Sequence, residues 1–133
     1  MIARRDNWPD LLSAYIERKR GEPFAWGSND CCLFAADWVQ IATGHDIAAQ
    51  WRGSYTTALG ARRALDEGGG IERLVEQAGG IRIDMGLAQR GDLVAQESGN
   101  GVALGICVGS VAAFISSDGV KFVPLVEASI WRF

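Results

Sequence analysis

Apolar residues follow two different patterns along this chain. In the first part they recur at helical spacing, and after about residue 79 they occur in short runs between turn residues. Trp8, Leu11, Leu12 and Tyr15 follow the i, i+3, i+4, i+7 spacing of a helix with one apolar face. This spacing predicts a helix over about residues 7–20.

The segment 31–43 is almost entirely apolar. A helix that is apolar on most of its faces is a central, buried helix. Asp30 stands where a helix N-cap is expected, and Gly44 stands where a helix of this kind ends. Two further helices are expected, at about residues 56–66 and 71–78.

The second part of the chain predicts an antiparallel sheet. Its short apolar runs are separated by tight-turn residues, such as Asp118 and Gly119 between two of them. Helices followed by strands indicate a single α+β domain over residues 1–133. The expected strands are Leu93–Ala95, Val102–Val108, Ala112–Ile115, Val120–Val123 and Ile130–Phe133.

Composition excludes several classes of protein. The chain has 133 residues, of which 48% are hydrophobic and 22% are charged, and its net charge is −3. This is ordinary globular composition, and the Arg and Lys residues near the N-terminus are interleaved with acidic ones, so no nucleic-acid-binding surface is predicted. No stretch approaches the ~20 apolar residues of a membrane span, and residues 1–7 contain no apolar run typical of a signal peptide.

The chain has three cysteines, and Cys31 is the one whose position suggests chemistry. It follows the predicted N-cap, where backbone N–H groups and the helix dipole stabilise a thiolate. The alternative is that Cys31 and Cys32 are small apolar core residues. An odd count with two adjacent members argues against a disulfide framework, and neither a metal site nor a cofactor is predicted. Gly68–Gly70 is expected to be a flexible connection.

Three blocks in the same order and spacing resemble the NlpC-like branch of papain-fold cysteine peptidases. Pro23–Gly27 followed by Asp30–Phe34 is similar to the segment that carries the family's cysteine. Arg90–Val94 is similar to its Gly-Asp-Leu-Val segment, and Ala103–Gly109 to its His-Val-Gly-Ile-Tyr-x-Gly strand. Further residues resemble an uncharacterised branch, associated with phage and prophage tails, that lacks the catalytic histidine: Trp38, Gly44, Asp46, Arg52, Gly53 and Tyr55.

The resemblance implies a papain-like, NlpC-type fold in which Cys31 is the nucleophile at the start of the central helix. The family's histidine then falls on Ala103, and the polar residue that orients this histidine falls on Ile115. Phe24 takes the place of a tyrosine whose hydroxyl lies near the cysteine. One of four polar site positions therefore remains, and Cys31 is expected to be a vestigial or weak nucleophile.

Other residues are poor substitutes for the missing base. His45 is the only histidine, and it lies beyond the far end of a helix about 20 Å long. Asp30 is expected to cap that helix, and Asp92 is expected at a turn. Ser116 is adjacent to Ile115, but on a strand it points to the other face.

Three functions remain open on the sequence alone. The first is a catalytically degenerate module that acts as a structural or adaptor component at the hub or tip of a phage or gene-transfer-particle tail, with other tail proteins as partners. The second is an active cysteine hydrolase of peptidoglycan stem peptides with a non-standard base. The third is a cytosolic enzyme or toxin-like module with another substrate. In each case synthesis in the bacterial cytoplasm is expected, followed in the first two by incorporation in a virion tail.

Tryptophans suggest an interface only weakly. The chain has five, and aromatic side chains often anchor protein interfaces. Trp26 and Trp38 are expected in the core, which leaves Trp8, Trp51 and Trp131 as candidates for exposure.

Overall fold

The computed structural model describes residues 3–98 and 101–133, which form an α+β arrangement of four α-helices and one sheet. The predicted helices are confirmed. The second has the predicted bounds, and each of the others begins and ends within two residues of its prediction. The helices are α1 (Trp8–Lys19), α2 (Cys31–Thr43), α3 (Ala58–Glu67) and α4 (Ile71–Gln77), and a 3-10 turn spans Met85–Leu87.

The sheet has six strands in the order β1-β6-β2-β3-β4-β5, and every neighbouring pair is antiparallel. The antiparallel prediction is thus confirmed. The sequence does not predict β1, because a three-residue strand after two glycines is too short to show alternation. The strands are β1 (Ile81–Ile83), β2 (Leu93–Ser98), β3 (Gly101–Cys107), β4 (Val111–Ser116), β5 (Gly119–Pro124) and β6 (Ser129–Arg132).

Helix α2 is the centre of the fold. It packs against α1 on one side and against β3 and β4 on the other, and eight of its thirteen residues are buried. Tyr15 of α1 stacks on Phe34 of α2 with ring centroids 5.5 Å apart. Gly44 ends the helix with a φ of 82°, a left-handed conformation that a residue without a side chain adopts easily. The predicted buried central helix is therefore confirmed.

The tryptophan predictions are only partly correct. Trp38 is buried in the core as expected, but Trp26 is 41% exposed and Trp131 is completely buried. Trp131 lies on β6 between β1 and β2, and its indole N–H donates to Glu76 of α4 at 3.3 Å. Trp26 lies in a turn of the loop before α2. The burial of Trp131 depends on strand order, which the sequence does not reveal.

Strands β3 and β4 pair over a short length. Their described pairs are Ile106 with Ala113 and Cys107 with Ala112, whereas β3 pairs with β2 along its whole length. The loop before α2 contacts β4 at the end away from these pairs. There the Phe24 N–H donates to the Ser116 carbonyl at 3.0 Å. The end of β4 beyond these pairs therefore lies beside the loop that leads into α2.

No helix in the described ranges is long and apolar enough to cross a membrane.

Candidate functional site around Cys31

Cys31 is the first residue of α2 and is only partly buried. The Asp30 side chain accepts from the Leu33 N–H at 3.0 Å, so the predicted N-cap is confirmed. The backbone N–H groups of the first turn point toward the N-terminus of the helix, where Cys31 lies and where the dipole favours negative charge. The position of Cys31 is thus one that stabilises a thiolate.

The Asp30 carboxylate connects three segments of the chain. It is 1% exposed, and besides Leu33 it accepts from the Gly27 N–H at 3.0 Å and from the Tyr55 hydroxyl at 2.6 Å. Burial, followed by the hydrogen bond to Asp30, raises the pKa of Tyr55, so this hydroxyl keeps its proton. Both oxygens of Asp30 are therefore occupied by donors.

Tyr55 is a site residue that the sequence alone does not identify. It lies 25 residues after Asp30, in a loop, with no spacing that signals a contact. Only its occurrence in the tail-associated branch pointed to it. A methyl group at Gly27 would collide with the Tyr55 carbonyl oxygen, so the absence of a side chain at Gly27 allows the two loops to meet.

The pKa of the Cys31 thiol is lowered to about 7. The largest cause is a hydrogen bond with the Cys32 thiol, and the Leu104 and Cys32 backbone N–H groups act in the same direction. Burial and the negative charge of Asp30 oppose this shift. The pKa of Cys32 is raised, first by its hydrogen bond to Cys31, and burial raises the pKa of Cys107. Cys31 is therefore the thiol that ionises first.

Ala103 and Ile115 contribute only hydrocarbon. Ala103 is half-buried on β3 and directly precedes Leu104, whose N–H donates to the Cys31 sulfur. Ile115 is 8% exposed and belongs to the main core together with Leu104. The Ser116 hydroxyl is engaged elsewhere, because it donates to the Gly119 carbonyl at 2.8 Å in the β4–β5 turn. Ala103 thus lies one residue from a direct contact of the thiol.

Phe24 is half-buried and packs against the main core, as Cys31 does. Its ring meets the Trp26 ring edge to face, with centroids 4.6 Å apart. Phe24 has no hydroxyl group. The Tyr55 hydroxyl donates instead to Asp30, the residue directly before Cys31. Phe24 and Trp26 thus form an aromatic pair in the loop before α2.

Neither His45 nor Asp92 is positioned to act as a base for Cys31. His45 is exposed in the turn after Gly44, at the opposite end of α2 from Cys31. Asp92 does follow a turn, as predicted, but it is completely buried. Its carboxylate pairs with Arg4 at 2.9 Å and Arg132 at 2.7 Å, and it accepts from the Gln89 N–H at 2.8 Å. Asp92 therefore acts as a structural anion.

A small cavity lies beside Cys32. Its volume is about 10 Å³, and it is lined by apolar side chains that include Trp51, Leu74 and Leu104. A volume of this size holds about one water molecule.

Metal ligands do not converge in the described ranges. No group of three or more His, Cys, Asp or Glu side chains there is arranged to hold an ion. The groups at Cys31 that bear on its chemistry are the thiol itself and the backbone N–H groups that donate to it.

Comparison with protein-family models matches residues 3–133 to the family described as Domain of unknown function (DUF6950), and the chain belongs to this family. Comparison with curated proteins found no match.

Proposed function

We propose that this DUF6950 domain is a catalytically degenerate NlpC-like module that acts as a structural or adaptor component near the hub or tip of a phage or gene-transfer-particle tail. The order of elements supports the papain-like part of this proposal. A cysteine begins a buried central helix, and an antiparallel sheet follows, which is the arrangement that the resemblance implies.

One observation carries the proposal: within residues 3–98 and 101–133, the groups that act on the Cys31 sulfur include no general base. They are the Cys32 thiol, two backbone N–H groups and the charge of Asp30, and both oxygens of Asp30 already accept hydrogen bonds. Peptide cleavage needs a group that takes the thiol proton and returns a proton to the leaving amine. A domain built this way keeps the fold and loses the reaction.

The tail location and the partners come from the resemblance. Other hub and tip proteins are the proposed partners, and peptidoglycan is the further one that the family's activity suggests. The half-exposed Trp26, which packs against Phe24 in the loop before α2, is an aromatic side chain suited to an interface.

The proposal is tested in the bacterium that encodes the protein. Particles are induced and purified, and the protein is sought in the tail fraction by immunoblotting and immunogold labelling. A matched strain carries Cys31→Ser in place of the natural residue. We expect the protein in the tail fraction, and particle yield and infectivity equal to those of the parent strain.

Absence of the protein from purified particles would overturn the tail assignment. Normal particles that lose infectivity with Cys31→Ser would overturn the degenerate assignment instead, because they would show that the thiol is needed.

A second candidate is an active hydrolase of peptidoglycan stem peptides, and the lowered pKa of Cys31 favours it. A thiolate present near neutral pH is the first requirement of a cysteine nucleophile. Purified protein and its Cys31→Ser variant are incubated with peptidoglycan and with isolated stem peptides. New amino groups released by the wild type alone would establish this candidate; equal, background release from both proteins would exclude it.

A further inference from the structure

We infer that Tyr55 is a positioning residue that controls how readily the Cys31 thiol reacts, and that it acts through the carboxylate of Asp30. This inference goes beyond the proposed function, because it holds whether or not the protein occurs in a tail.

The first step is the geometry of the Asp30 carboxylate. Asp30 is almost completely buried directly before Cys31, and the Tyr55 hydroxyl donates to one of its oxygens at 2.6 Å. A hydrogen bond to a carboxylate is shorter and stronger than one between neutral groups. Tyr55 is the donor to Asp30 that a substitution can remove, since the other two are backbone N–H groups.

The second step is the link from Asp30 to the thiol. The charge of Asp30 disfavours the Cys31 thiolate, as a like charge does at short range. A hydroxyl that donates to Asp30 withdraws part of this charge and also holds the helix cap in place. Loss of the hydroxyl therefore leaves more negative potential at Cys31 and makes the thiolate harder to form.

The third step is the set of other groups that act on Cys31. The titratable ones are Cys32, Asp30 and Tyr55. Strand β3 contributes the Leu104 backbone N–H. Removal of the Tyr55 hydroxyl thus alters the charge balance while it leaves both thiols and the Asp30 carboxylate in place.

The chain contains a matched control. Its other tyrosine, Tyr15, also donates to α2, to the Phe34 carbonyl at 2.7 Å, and it is buried. Tyr15→Phe removes a hydroxyl and a hydrogen bond from the same helix without touching Asp30. Any effect of general destabilisation of α2 appears in both variants.

The experiment measures the rate of Cys31 alkylation by iodoacetamide against pH in the full chain, with tandem mass spectrometry to separate Cys31 from Cys32. We expect Tyr55→Phe to raise the midpoint of the profile by roughly half a pH unit or more. Asp30→Asn, which removes the charge and keeps one oxygen as acceptor, is expected to lower it. Tyr15→Phe is expected to leave the midpoint unchanged and to lower the thermal unfolding midpoint.

A Tyr55→Phe midpoint equal to the wild-type value, or equal shifts in Tyr55→Phe and Tyr15→Phe, would overturn the inference. Circular dichroism establishes that each variant is folded. Should Tyr55→Phe not fold, Asp30→Asn decides, because a midpoint that is not below the wild-type value contradicts control through this carboxylate. These outcomes are independent of whether the protein is found in tails.

Discussion

Arg132 binds both carboxylate oxygens of Asp92, from Nε at 2.9 Å and from a terminal guanidinium nitrogen at 2.7 Å. Asp92 has no exposed side-chain surface, and Arg4 pairs with the same carboxylate from the N-terminal segment. One buried anion therefore connects the start of the chain, the start of β2 and the last strand.

We predict that Asp92→Asn lowers the free energy of unfolding by about 2 kcal/mol, because it removes the buried negative charge that Arg4 and the partly exposed Arg132 share. Urea unfolding followed by tryptophan fluorescence measures the change. Glu17→Gln is the control, since the Glu17–Arg20 pair lies on the surface at 3.2 Å and surface pairs contribute little. Similar losses in the two variants would contradict the structural role of Asp92.

The wild-type protein is expected to show selective alkylation of one cysteine. The pKa of Cys31 is lowered to about 7, whereas those of Cys32 and Cys107 are raised. Because the thiolate is the reacting form, the rate at Cys31 rises with pH through a midpoint near 7 and is already substantial at neutral pH. A midpoint at the ~8.5 of an ordinary thiol, or modification of Cys107 at the same rate, would show that the site does not activate Cys31.

We predict that Ala103→His lowers the midpoint of Cys31 alkylation by about 1 pH unit, because a protonated imidazole beside the thiol stabilises the thiolate. Ala103 is one residue from the Leu104 N–H that contacts the sulfur. Efficient peptide cleavage is not expected, since Ile115 cannot orient the new ring. Val102→His, one residue earlier at a position 51% exposed, is the control and should leave the midpoint unchanged. An unchanged midpoint for Ala103→His would show that position 103 does not border the thiol.

The contact between Gly27 and Tyr55 gives a test of how the two loops are held together. Gly27 has a φ of 82°, and a methyl group there would meet the Tyr55 carbonyl, whereas Gly53 has a φ of 74° with nothing within 4 Å. Gly53→Ala is expected to lose about 1 kcal/mol of unfolding free energy from its backbone conformation alone. Gly27→Ala is expected to lose about 2 kcal/mol more through the collision. Equal losses would mean that Tyr55 moves aside without cost.

Local patterns predicted the helices well because their causes are local. Asp30 caps α2 through a neighbour three residues away, and Gly44 ends it by its own backbone conformation. The strand β1 was not predicted, because its three residues are defined only by pairing with β6, almost fifty residues later. The burial of Trp131 and the exposure of Trp26 follow from the same pairing and from a loop, and neither leaves a periodic signal.

The sequence by itself determined the buried helix with Cys31 at its first position, the antiparallel sheet and the absence of polar side chains at positions 24, 103 and 115, because these depend on residue type and short-range spacing. Tertiary structure decided which groups meet Cys31. The Leu104 N–H and the Tyr55 hydroxyl on Asp30 are brought there by a strand and a loop distant in sequence. The pKa of a thiol depends on atoms within a few ångströms of the sulfur, and only the folded chain brings them there.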